Sequence, residues 1–192
     1  NMQQAKFNIL SMDCDYARTA ESLKNLVKMY LKYIDAVDLK NINFSQIHAN
    51  IFYTLDPLLR KDKTVDIVNI DDHHDIIGYC PTMNNAYNSA NWLGYYLNKP
   101  NFVESAYWLA NYTSKHEPVY TDDTIHVTHD IEDVMFNKFD YIFVCSSPNY
   151  CNIYGKICYD ILIEITKNKK NCDKFNFIKP NILNHQARDI IL

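Results

Sequence analysis

Glycine is scarce, with three in 192 residues. Nucleotide phosphates are commonly cradled by glycine-rich turns, and neither GxGxxG nor a Walker pattern occurs here. No CxxC pair exists among Cys14, Cys80, Cys145, Cys151, Cys158 and Cys172, so zinc-ribbon spacing is excluded as well. No apolar run approaches the length of a membrane span, and no secretory leader is evident. A cytoplasmic location is therefore expected, with Met2 behind Asn1 reading as the native start. Disulfides are not expected in that setting, and Cys14 and Cys145, in apolar strand-like runs, read as buried thiols. The net charge of −4 argues against a general nucleic-acid binder.

What is present is an ordinary globular balance: 47% apolar and 22% charged residues. The length suits one domain over 1–192 with a sizeable core. Residues 1–5 are expected to be flexible, and 168–192 to form a tail packed on the domain.

Three apolar runs read as buried strands: Lys6–Met12, Val65–Ile70 and Asp140–Ser146, with a shorter one at Ile125–Thr128. Thr19 reads as the cap of a helix reaching about Asp35, with Leu23, Leu26, Val27, Tyr30, Leu31 and Ile34 at helical spacing. Asn41 and Asn43 mark a loop. Ser45 is the expected cap of a helix through about Leu55, with Pro57 after its end. Residues 78–88 read as irregular, Ala90–Leu97 as a short helix, and Phe102–Tyr112 as a helix or covering segment. Asp130–Phe136 fits a helical turn or two, and a long helix is expected from about Tyr150 to Lys167. Strands alternating with amphipathic helices predict an α/β fold: a three-layer α/β/α arrangement around a mainly parallel sheet.

Chemistry is concentrated where strands end. The run Val65–Ile70 leads into Asp71-Asp72-His73-His74-Asp75, five consecutive residues able to bind a metal or move a proton. In an extended chain Asp71, His73 and Asp75 would share one face, with Asp72 and His74 on the other. Asp13 and Asp15 follow the first strand with the same alternate spacing. Ligands of open parallel sheets bind at the carboxyl ends of the strands, which places the two acidic groups side by side. Burying so many carboxylates requires a compensating cation or hydrogen-bond network. With one further imidazole the set would provide six O/N ligands, enough for two divalent ions. Sulfur-free coordination favours Mn2+, then magnesium or iron, then zinc. Such a pair polarises a shared water for hydrolysis.

Asp71-x-His73-x-Asp75 after a buried strand resembles the DxHxD metal motif of the arginase-like ureohydrolases, and Ser11-Met12-Asp13-Cys14-Asp15 resembles their SxDxD motif. The order of the two motifs is reversed here. In a short chain that order is similar to the peptide-arginase group, which converts peptidyl arginine to ornithine and urea. Asn91-Trp92-Leu93 and Ser146-Ser147-Pro148 also resemble features of that group, and the likeness runs from about Phe7 to Lys167. The resemblance implies one metal held by His48, Asp71, Asp75 and Asp13, and another by Asp71, His73, Asp13 and Asp15, with Asp71 and Asp13 bridging. It implies an arginine-containing peptide, or another guanidine or amide, as substrate.

His74 or His129 is the expected proton donor to the leaving amine, since imidazole titrates nearest neutrality. Asn91, Trp92 and Asn149 are expected to line the substrate pocket. No glutamate follows Ser147-Pro148 to hold a guanidinium; Asn149 stands there instead, leaving Glu104, Glu117, Asp130 and Glu132 as substitutes. Two other readings start from the same residues. The contiguous Asp72-His73-His74 is similar to the signature of DHH-type manganese phosphoesterases acting on nucleotides or single-stranded nucleic acid, though Tyr16-Ala17 follows the DxD where that family has Asp-Gly. A relative that binds metal without turnover is the third.

Overall fold

The computed structural model describes residues 5–77, 87–114, 123–173 and 176–178. Seven parallel strands form one sheet: β1 Lys6–Asp13, β2 Ile42–Ser45, β3 Thr64–Ile70, β4 Val103–Leu109, β5 Ile125–Thr128, β6 Tyr141–Cys145 and β7 Asn176–Ile178. Their spatial order is β5-β4-β3-β1-β6-β2-β7. Among the described residues four α-helices accompany them: α1 Ala20–Tyr33, α2 Phe52–Leu59, α3 Trp92–Leu97 and α4 Ile153–Lys170.

The layers follow from the pleat. Alternate residues of a strand face opposite sides, and the register aligns them across strands: Leu10 with Val68 and Ile142, Met12 with Ile70 and Val144. These side chains build one core with Leu26, Met29 and Tyr30 of α1 and Cys158 and Leu162 of α4. The opposite face carries Ile9, Val65, Ile67 and Phe143, packed with Leu55 and Leu58 of α2 and Trp92, Leu93 and Tyr96 of α3. Helices thus cover both faces, the expected three-layer α/β/α arrangement with a wholly parallel sheet.

Local chemistry sets the boundaries. Thr19 accepts a hydrogen bond from the Ser22 backbone and Ser22 Oγ accepts one from Thr19, a reciprocal cap that starts α1 where expected. Asn152 caps α4 by accepting from the backbone of Tyr154 and Gly155. A methyl group on Gly155 would stand 2.6 Å from both the Cys14 carbonyl oxygen and Cys151 Sγ. Glycine is what lets α4 approach the end of β1 this closely.

Three expectations are corrected. Val103–Leu109 is a strand, not a helix: it lies between β3 and β5, and pairing on both edges overrides the helix-like content of this segment. Asn43 lies within β2, where its Nδ2 donates to Thr54 Oγ1, rather than in a loop. Ser45 ends β2, the helix begins later, and Pro57 sits inside α2. The segment at 168–178 also does more than trail, since Asn176–Ile178 adds β7 beside β2. Residues 1–4, most of 78–88, and 179–192 lie outside the described residues, as do Cys80 and Glu117. No helix among the described residues is long and apolar enough to cross a membrane.

Candidate metal centre

Parallel strands bring all their carboxyl ends to one edge. Asp13 closes β1 and sits opposite Cys145 of β6, while Met12 pairs with Ile70, one residue before Asp71. The chain leaves β2 through a turn shaped by Ser45 Oγ, which accepts from the Ile47 backbone and from Asn50 Nδ2, and this delivers His48. The acidic ends of β1 and β3 and the histidine after β2 therefore converge.

Two groups of potential ligands form there: Asp13, His48 and Asp71, and Asp15, Asp71 and His73. His48 Nδ1 lies 3.1 Å from Asp13 Oδ2, 3.2 Å from Asp71 Oδ2 and 3.0 Å from Asp75 Oδ2. Three oxygens surround one buried nitrogen, yet none is aligned to accept a hydrogen bond from it. That geometry is poor for an N–H donor and natural for a nitrogen and three oxygens converging on a cation. Such an orphaned nitrogen is what a resident metal would satisfy, and the donor set is all oxygen and nitrogen. In the second group His73 Nδ1 is 2.9 Å from Asp15 Oδ2 and 3.6 Å from Asp71 Oδ1. Asp71 belongs to both groups, one oxygen turned towards each histidine.

Supporting hydrogen bonds fix most of these side chains. Ser11 Oγ is 2.7 Å from His48 Nε2, leaving Nδ1 as the ligating nitrogen. The His48 ring stacks on Phe143. Ser147 Oγ donates to Asp13 Oδ2 at 2.6 Å, and Ser147 adopts a left-handed φ of 37° to do so. Trp92 Nε1 donates to Asp75 Oδ2 at 2.6 Å, while the Asp75 carbonyl accepts from the Leu93 and Gly94 backbone at the start of α3. Trp108 Nε1 donates to the Asp71 carbonyl.

Burial and mutual repulsion set the electrostatics of the cluster. Burial, with Asp71 nearby, raises the Asp13 and Asp75 carboxyls. Burial, with Asp13 and Asp71, pushes Asp15 up to about 9. Burial works the same way on Asp71, but His48 and His73 overcome it and hold that carboxyl below its ordinary value. Asp15 and then Asp71 push His73 up to about 11. Burial lowers His48, but the carboxylates at Nδ1 raise it well above its usual range. A divalent ion placed here would offset the same repulsion between carboxylates.

All six expected ligands, Asp13, Asp15, His48, Asp71, His73 and Asp75, therefore come together. Asp72 and His74 diverge from them as the alternation implied, but for a different reason. The segment is bent rather than extended, and Asp75 has a φ of 57°. Asp72 pairs with Arg18. His74 is buried edge-on to Trp108, and its Nδ1 accepts from the Ile76 backbone. His129 is at the exposed end of β5, with Nδ1 on the Ala110 carbonyl and its ring stacked on Tyr112.

The expected pocket residues differ in exposure. Trp92 is fully buried and its Nε1 holds Asp75. Asn91 is buried too, its Oδ1 accepting from the Asn88 backbone in the turn before α3. Asn149 is exposed, and it is Ser147, two residues earlier, that reaches the site. Of the carboxylates offered for a guanidinium, Glu104 pairs with Lys6 at the opposite end of the sheet. Glu132 pairs with Lys28, and Asp130 accepts from the Glu132 backbone. Sequence reasoning missed the roles of Ser11, two residues before Asp13 in β1, and of Ser147, two residues after the end of β6. No protein-family model matches the chain, and no curated protein or solved structure is significantly similar to it.

Trp92→Phe keeps a buried ring and removes the N–H that holds Asp75. Manganese affinity should fall about 10–100-fold, the usual effect of losing such a support. A metal titration giving wild-type affinity would mean that the backbone alone orients Asp75.

Proposed function

We propose that the protein is a metal-dependent hydrolase built on a pair of divalent ions, with manganese the best match to the donors. We further propose that it cleaves a C–N bond in the manner of the arginase-like ureohydrolases. The observation that carries this reading is Asp71, whose two oxygens face His48 on one side and His73 on the other. A carboxylate so placed suits two ions held side by side, Asp13 and Asp75 completing one position and Asp15 the other. Divalent ions in such a site supply an activated water and stabilise negative charge in a hydrolytic transition state. The chain's residues hold that site rigid: Ser11, Ser147 and Trp92 orient ligands, and five of the six ligands are buried from bulk water.

The alternating use of Asp71, His73 and Asp75 favours this reading over the phosphoesterase one. That alternative needs the contiguous Asp72-His73-His74, and here Asp72 is committed to Arg18 and His74 Nδ1 to the Ile76 N–H. An arginine-containing peptide is the substrate the motif resemblance offers. The test is product analysis of the manganese-loaded protein. Urea release from an arginine peptide is the expected result. Nucleotide release from a dinucleotide would overturn it in favour of the phosphoesterase, and tight metal binding without product would leave a non-catalytic metal protein.

A further inference from the structure

The metal centre has one open side. Five of its six ligand residues are no more than 6% exposed, whereas the His73 side chain is 38% exposed. Among the described residues His73 marks the exposed side of the ligand set, the side from which a substrate would arrive. Tyr150, itself exposed, stands edge-on to the His73 ring. The residue before His73 is Asp72, whose backbone N–H donates to Asp15 Oδ1 and whose side chain holds Arg18.

The way Arg18 is held matters. Its Nε and Nη2 both donate to one oxygen, Asp72 Oδ2, at 3.2 and 2.8 Å. The other oxygen, Oδ1, accepts from Asn111 Nδ2 and Ser114 Oγ, both at 3.1 Å. Four donors therefore share the charge of one carboxylate. Asn152 Nδ2 donates to the Arg18 carbonyl, so the backbone is fixed as well. Only one edge of the guanidinium is used. The Nη1–Nη2 edge has no partner among the described residues, and the side chain is 32% exposed. That edge has the fork geometry that pairs with the two oxygens of a carboxylate or phosphate. A guanidinium here, with the Asp72 carboxylate beside it already shared by four donors, disfavours a substrate whose only charge is positive.

We propose that Arg18 is an anion-binding residue at the mouth of the metal centre, and that the substrate bears a carboxylate or phosphate group which docks there. This rests on the hydrolase reading for the word substrate, but the anion site itself does not. Among guanidine or amide candidates it keeps those with a free carboxylate.

Inorganic phosphate and acetate, titrated separately by calorimetry into manganese-loaded and metal-free protein, test the proposal. At least one anion should bind the wild type, and about tenfold more weakly to both Arg18→Ala and Arg18→Lys, the change expected for losing a charge-assisted fork. Arg18→Lys can keep the ion pair with Asp72, so a merely structural Arg18 predicts no loss in that variant. Loss confined to acetate identifies a carboxylate site, and loss confined to phosphate a phosphate site. Wild-type affinity for both anions in Arg18→Lys, or no binding of either to the wild type, overturns the proposal. Failure of the hydrolase reading appears elsewhere, as manganese that does not bind or as absent product, while anion binding to the metal-free protein is still measured.

Discussion

Asp71→Asn should bind manganese at neither position. Its two oxygens are the one feature common to both ligand groups, 3.2 Å from His48 Nδ1 and 3.6 Å from His73 Nδ1. An amide offers one neutral oxygen in place of two that share a negative charge, so each ion of the proposed pair would lose a ligand and the site would lose part of its field. The loss of support from a single neighbour costs 10–100-fold in metal affinity, and removing the shared ligand itself should cost more than about 100-fold at each position. Asp13→Asn is expected to behave differently. Asp13 contacts the His48 group and is oriented by Ser147, so this change should empty the His48 position and only weaken the other. Bound metal counted after gel filtration separates the cases. Two equivalents retained by Asp71→Asn would end the shared-carboxylate model, and one equivalent bound by the wild type would reduce the centre to a single ion. Thermal melting gives a second readout. Metal at a hundredfold excess over Kd stabilises by about 2.7 kcal/mol. For a chain of this size that is roughly 5–11 °C in Tm, and the rise should vanish in Asp71→Asn while its metal-free melt stays cooperative.

Much of the site was legible before the fold, for a physical reason. Carboxylates and imidazoles crowded at the end of an apolar run are costly to bury, so Asp13, Asp15, Asp71, His73 and Asp75 announced themselves by composition and spacing. His48 followed only from the motif resemblance; its neighbours are apolar, and nothing in the sequence near it signals a ligand. The strands with mainly apolar runs, β1, β3 and β6, were readable because they lie in the middle of the sheet, buried on both faces. β2 and β4 were not. Asn43 and Glu104 interrupt them with polar side chains that find partners only in the folded molecule, Thr54 and Lys6. Trp92 shows the opposite case. Its place beside the acidic stretch was visible, but a buried indole that orients a ligand and one that lines a pocket have the same sequence signature. Arg18 carried no signal at all, since its role depends on Asp72, 54 positions away.

Metal-free stability and the rise in Tm produced by metal should change with pH in opposite directions. In the metal-free protein Asp15 is pushed up to about 9 by burial and by Asp13 and Asp71. An aspartate in an unfolded chain titrates near about 3.9. Between those values the folded protein keeps a proton that the unfolded chain has released, so stability falls as pH rises across the window. Asp13 and Asp75, raised by burial and by Asp71, act with the same sign. His73 is pushed up to about 11 by Asp15 and Asp71. Its contribution is complete below the unfolded value of about 6.5 and is lost as pH climbs towards 11. Asp71 opposes the others: its lowered carboxyl stabilises above about pH 4, and that share is lost in acid. The metal-free Tm should therefore peak in mild acid and decline from about pH 5 to pH 9. On the proposed reading manganese displaces the same protons, so its binding should strengthen with pH. The rise in Tm produced by manganese should be small at pH 5 and grow steadily to pH 8.5. A metal-free Tm that increases over this range, or a manganese-induced rise already complete at pH 5, would show that these carboxylates and histidines do not exchange protons for metal.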